Sequence, residues 1–145
     1  GHQLLLHRFR DGYFPHEGAP LKDAFRELLQ LETPDVVFTH HHDDRHQDHR
    51  ALAELTAQTF RDHLVLEYEI PKTDGGLGMP NVFLPLEEGV VRRKVDHLLT
   101  HFPSQRSKRW FTEDLFRGLM RLRGMECNAP SGCAEAFHTR TLVLG

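Results

Sequence analysis

The segment from Pro34 to Arg61 constrains the fold of this chain most. Pro34-Asp35-Val36-Val37-Phe38-Thr39 is a short apolar run with two β-branched valines, entered through proline and left through polar residues. That is the pattern of a strand buried in an α/β sheet. From Arg50 to about Arg61, Leu52, Leu55, Thr56 and Thr59 or Phe60 recur at three- and four-residue spacing, and Ala51, Ala53 and Ala57 favour helix. Between the two lie five of the chain's twelve histidines (His40, His41, His42, His46, His49) and three aspartates (Asp43, Asp44, Asp48). No packing requirement explains so dense a set of titratable groups, and the junction of a strand's carboxyl end with a helix's amino end is where open α/β sheets hold ligands.

The rest of the chain repeats the alternation. A strand is expected over Gln3 to Phe9, closed by an Asp-Gly turn at Asp11-Gly12, then a loop to Pro20 and an amphipathic helix over Leu21 to Leu31. His63 to Ile70 reads as a strand. The glycine-rich stretch Pro71 to Pro80 reads as a lid or connector, because it lacks the Lys-Ser/Thr ending of a phosphate loop. A short strand at 81–84 precedes a helix with acidic residues in its first turn (Glu87, Glu88) and Val91, Val95, Leu98 and Leu99 as its buried stripe. After the basic loop from His101 to Trp110, a helix is expected over Thr112 to Arg123, ended by Gly124, with a closing strand over Thr139 to Leu144. Such alternation predicts an α/β sandwich with a largely parallel sheet.

Length and charge narrow the class. A chain of 145 residues with 27% charged residues and a net charge of -3 is expected to form one domain, residues 1–145, with no bias toward nucleic acid or a membrane surface. No apolar run approaches the roughly 18 to 20 residues of a membrane span. Cys127 and Cys133 do not make a disulfide framework, which favours a reducing cytoplasm, and alone they lack the ligands of a zinc site.

His46 and His49 stand three apart and share a face if the helix begins by His46. Neutral imidazoles suit zinc, and Asp48 between them could orient one ring through its second nitrogen. For His40 to His42, exposed loop residues without a role are an equal reading.

Together FRDGYFPHEG, PDVVFTHHHDDRHQDHR, LEYEIPK, PNVFLPL, HFPSQRSKRWF and LRGMECNAPSGCAEAFHTRTLVL resemble the PIG-L/LmbE-like deacetylases over essentially the whole chain. These are zinc-dependent hydrolases that remove acyl groups from N-acylated amino sugars and related conjugates, on a Rossmann-like three-layer α/β fold. The resemblance implies that His49 is a zinc ligand. It implies that His46 faces substrate, polarising the acyl carbonyl or protonating the leaving amine, with Asp48 holding His46 in orientation. Asp11 matches a position that contacts substrate hydroxyls, with Arg10 beside it. Asp44 and Arg45 match the loop but are assigned no chemical step.

The family's first motif, a His-Pro-Asp-Asp block supplying two zinc ligands and the general base, has no match: His2 and His7 lack an Asp-Asp partner, and Asp43-Asp44 lies in the second motif. The expectation is a chain lacking the first strands and helices of the fold, inactive by itself and binding zinc weakly, with an exposed strand edge that favours self-association. The competing reading is a non-catalytic α/β module that binds a sugar through Asp11 and the His/Asp loop.

Overall fold

The computed structural model describes residues 2–31 and 33–142. In chain order they form α1 (Gly18–Leu28), β1 (Val36–His40), α2 (Gln47–Thr59), β2 (Leu64–Tyr68), β3 (Val82–Pro85), α3 (Glu88–His101), α4 (Glu113–Glu126) and β4 (Ala134–His138), with short 3-10 turns at Phe14–His16 and Pro103–Gln105. The four strands make one sheet in the order β1-β2-β4-β3.

The α/β class is borne out, but the expected mostly parallel sheet is not. β3 runs antiparallel to β4, with Val82 opposite Phe137 and Pro85 opposite Ala134, so the sheet is mixed. The cause lies in the connections. β3 and its neighbour β4 are joined through two helices, α3 and α4, rather than through the single-helix crossover of a parallel βαβ pair, and an antiparallel edge strand is a common addition to such sheets.

Three further expectations are corrected. No strand forms at Gln3 to Phe9, where Leu4 and Leu6 are 73% and 81% exposed. Three consecutive leucines lack period-two alternation, and a strand holds only when its backbone groups find a neighbouring edge. The last strand is Ala134–His138 rather than 139–144; residues 139–142 are in no strand, and 143–144 lie outside the described residues. Gly124 does not end α4, which runs on to Glu126. The helix stops instead in a Schellman pair, Ala129 N–H on Gly124 O (2.8 Å) and Asn128 N–H on Met125 O (3.2 Å), with Asn128 at φ 51° in the left-handed position.

The chain divides into two compact units, Gly1–Glu67 with Arg140–Gly145 and Tyr68–Thr139. The second holds an apolar core of Leu86, Val91, Val95, Phe111, Phe116, Met120 and Cys133, flanked by Leu98, Leu99 and Trp110. Val91 and Val95 sit one helical turn apart on α3 and are 0% and 1% exposed, as their spacing predicts. α4 crosses close to the residues that lead into β4. A side chain at Gly124 would place its Cβ 2.6 Å from Cys133 Cα and closer still to the Gly132 carbonyl, so only glycine fits.

That unit also buries one ion-pair network. Arg123 donates to Glu69 (2.8 Å and 2.5 Å), to Glu126 (2.9 Å and 2.8 Å) and to the Gly78 carbonyl (3.2 Å), tying the glycine-rich connector to α4. Burial disfavours its charge, but the hydrogen bonds to Glu69 and Glu126 outweigh that and raise the guanidinium pKa further.

The first unit is built differently. Its buried hydrophobic residues are Leu21, Ala53 and Phe60, whereas Thr39, His41, Asp44, Asp48, Thr56 and Glu67 are buried polar or charged groups. Buried polar atoms are costly unless paired, so the interior of this unit is organised by hydrogen bonds. Thr39 and Thr56 illustrate it: their hydroxyls meet at 2.9 Å between β1 and α2, and Thr56 donates on to Leu52 O at 2.7 Å.

Candidate functional site

All eight titratable residues of the His/Asp segment belong to the first unit, at the end of β1, in the loop between β1 and α2 and in the first turn of α2. The loop is held by its own backbone. Asp44 N–H donates to His41 O at 3.0 Å, and one Arg50 nitrogen donates to the carbonyls of Asp44 (2.8 Å) and Arg45 (2.7 Å).

Asp44 is the pivot of one cluster. It is 3% exposed; one carboxylate oxygen accepts from His46 N–H at 2.7 Å and the other lies 2.9 Å from His49 Nδ1. With Nδ1 engaged by a carboxylate, His49 keeps Nε2 as its remaining ring nitrogen. The His49 ring stacks on His40 at 3.9 Å between centroids and lies 4.6 Å from the His46 ring. His46 caps α2 in an extended conformation, and its Nδ1 is buried without a hydrogen-bond partner among the described residues.

Asp48 is also 3% exposed, and its two oxygens accept the backbone N–H groups of Gly12 (2.5 Å) and Phe14 (3.2 Å). Gln47 adds a hydrogen bond to the Gly12 carbonyl. The first turn of α2 thus fastens the 10–14 turn, which places exposed Arg10 and Asp11 on a segment anchored beside His46. Arg10 lies 3.7 Å over the Tyr13 ring, a cation–π contact.

A second cluster includes a residue that the sequence reading did not single out. Glu67, on β2, is 2% exposed. One of its oxygens, Oε2, lies 2.8 Å from His41 Nδ1 and 2.7 Å from His42 Nδ1, and also accepts from His42 N–H at 3.1 Å. The ligand atoms of His41, His42 and Glu67 all lie within 4.8 Å of one another, so this trio could hold a metal ion. Burial pushes the Glu67 carboxyl up, but the hydrogen bonds from His42 and His41 hold it below the usual carboxylate range. The signal was present in sequence: a lone acid inside the apolar run Leu64-Val65-Leu66 to Tyr68 must find a partner once the strand is buried.

The α/β fold thus carries two histidine–carboxylate clusters, one around Asp44 and one around Glu67, and the second has the composition and spacing that could hold a metal ion. Over residues 2–60, the chain matches the PIG-L family model, described as GlcNAc-PI de-N-acetylase, so the resemblance is borne out across the 10–14 turn and the whole His/Asp segment. Among solved structures, the conserved protein TT1542 from Thermus thermophilus superposes with a TM-score of 0.67 at 21% identity, covering 94% of this chain and 65% of that one. The likeness establishes the fold, and the chain spans about 65% of that protein's length. No curated protein matches. Among the described residues, no helix is long and apolar enough to cross a membrane.

Proposed function

We propose that this chain carries part of the active site of a zinc-dependent hydrolase that removes an acyl group, acetyl above all, from an N-acylated amino sugar or related conjugate. The observation that carries the reading is the Asp44–His49–His46 arrangement within the segment that matches a de-N-acetylase family. A carboxylate fixes the Nδ1 side of one imidazole while a neighbouring imidazole keeps a buried nitrogen without a partner among the described residues. Those two features fit a metal ligand with its outer carboxylate and a proton-carrying group beside it.

In this reading His49 holds zinc through Nε2, and Asp44 keeps that nitrogen basic and correctly aimed. The ion, when bound, supplies Lewis acidity and lowers the pKa of water toward neutrality. His46 donates a proton to the acyl oxygen or the departing amine, so that amide cleavage yields a carboxylate and a free amine. Asp48 anchors the first turn of α2 against Gly12 and Phe14 and thereby fixes the backbone from which His46 projects. Asp11 and Arg10, on the turn so anchored, face the sugar hydroxyls. No residue of this chain is assigned the general base or the further zinc ligands.

Amine release tests the proposal. The full-length gene product, loaded with zinc, should liberate primary amine from N-acetylglucosaminyl phosphoinositide or from a simpler N-acetylglucosamine conjugate, and chelation should abolish it. A zinc-loaded protein that releases amine from no N-acylated amino sugar, yet binds such sugars intact, would favour the sugar-binding reading instead.

A further inference from the structure

We infer that His41, His42 and Glu67 form a divalent transition-metal site of their own, separate from the ligand assigned to His49. The inference goes beyond the deacetylase reading and stands or falls independently of it. Its starting point is the proton count on His42. That ring has a carboxylate oxygen at each nitrogen: Glu67 Oε2 is 2.7 Å from Nδ1 and Asp43 Oδ2 is 3.3 Å from Nε2. A neutral imidazole carries one N–H and one lone pair, so it can satisfy only one of them as donor. If Nε2–H serves Asp43, the Nδ1 lone pair faces an anionic oxygen at hydrogen-bond distance. That arrangement is repulsive unless the ring is doubly protonated or a metal cation lies between the two atoms.

The second observation is crowding on a single oxygen. His41 Nδ1, His42 Nδ1 and His42 N–H all converge on Glu67 Oε2, at 2.8, 2.7 and 3.1 Å. If both ring nitrogens carry protons, three donors crowd one oxygen; if either does not, its lone pair faces the carboxylate. One cation coordinated by both Nδ1 atoms and the carboxylate resolves the conflict, leaving His42 N–H as the hydrogen bond on Glu67.

Two imidazoles and a carboxylate are a ligand set for zinc and its borderline neighbours, with a fourth position open to water. Ligand distances of about 2.0–2.2 Å would need the N···O separations to open by roughly half an ångström. The half-exposed His42 side chain can supply that movement and gives an ion access from solvent, while the buried side chains of Glu67 and His41 provide fixed walls.

Co2+ titration of the 145-residue chain, followed by visible ligand-field absorption and checked by Zn2+ competition, decides it. We expect four-coordinate Co2+ bands that survive His49→Ala and weaken about 100-fold or more in affinity in His42→Ala. Loss of one of three ligands should exceed the roughly 10–100-fold cost of losing an outer-shell partner. His42 is exposed enough for its variant to fold, and Glu67→Gln, checked by circular dichroism, should behave alike. The inference is overturned if the chain takes up no Co2+, if uptake is indifferent to His42→Ala, if it disappears in His49→Ala alone, or if ring-nitrogen NMR shows His42 doubly protonated in excess Zn2+.

Discussion

Two glycines of α4 should respond to alanine with opposite signs. Gly118 is exposed and a Cβ there meets nothing within 4 Å, so Gly118→Ala should gain roughly the intrinsic helix preference, about 0.5–1 kcal/mol. Gly124→Ala gains the same preference but drives its Cβ to 2.6 Å from Cys133 Cα and closer to the Gly132 carbonyl, where ordinary contact begins at 3.4 Å. The obstacles are backbone atoms leading into β4, so α4 or that segment must retreat by about 1 Å. Overpacking of that kind costs about 1–3 kcal/mol, and rigid backbone puts this case near the top. After the helix gain, Gly124→Ala should lose about 2 kcal/mol net, which lowers the melting temperature by about 4–8 °C in a chain of this size. Thermal unfolding followed by circular dichroism reads both variants. A Gly124→Ala protein as stable as the parent, or a Gly118→Ala protein less stable, would refute the packing argument.

Arg123→Met should destabilise by about 3–5 kcal/mol because it strands Glu69, 4% exposed, without its counter-charge; adding Glu69→Leu should recover most of the loss in urea unfolding. Asp48→Ala should cost about 1–3 kcal/mol and speed amide hydrogen exchange at Gly12 and Phe14, the two donors it leaves unpaired; exchange unchanged at both would argue against that anchor. In the full-length gene product, Asp44→Asn should weaken the apparent metal affinity of the active enzyme by about 10–100-fold, since His49 loses a charged acceptor at 2.9 Å; equal zinc dependence would detach Asp44 from His49's function.

The sequence made the central βα unit legible because two independent signals coincide there: the apolar run ending at Thr39 and the helical spacing from Leu52 onward. α3 was equally clear from Val91 and Val95. The ends were not. Leu4-Leu5-Leu6 has the composition of a strand, but pairing depends on a neighbour that local sequence does not encode. Ala134-Glu135-Ala136-Phe137-His138 contains two alanines, poor strand formers, so local sequence does not mark it as the closing strand. Gly124 itself read as a helix stop, the usual meaning of a late glycine, whereas its role is to let backbone pass. At the site, the His46/His49 pairing was visible in spacing, but Asp44 and Glu67 were not. Asp44 acts across five positions on His49, and Glu67 reaches the histidines from another strand.

His46 carries the proposed proton transfer, and turnover of the His46→Ala variant of the full-length gene product tests that role most directly. With amine release from an N-acetylglucosamine conjugate as the assay, proton donation predicts that kcat falls by roughly a hundredfold or more, the cost of losing a group that stabilises the developing oxyanion, while KM stays near its original value. A variant that turns over at the parent's rate would remove His46 from the mechanism.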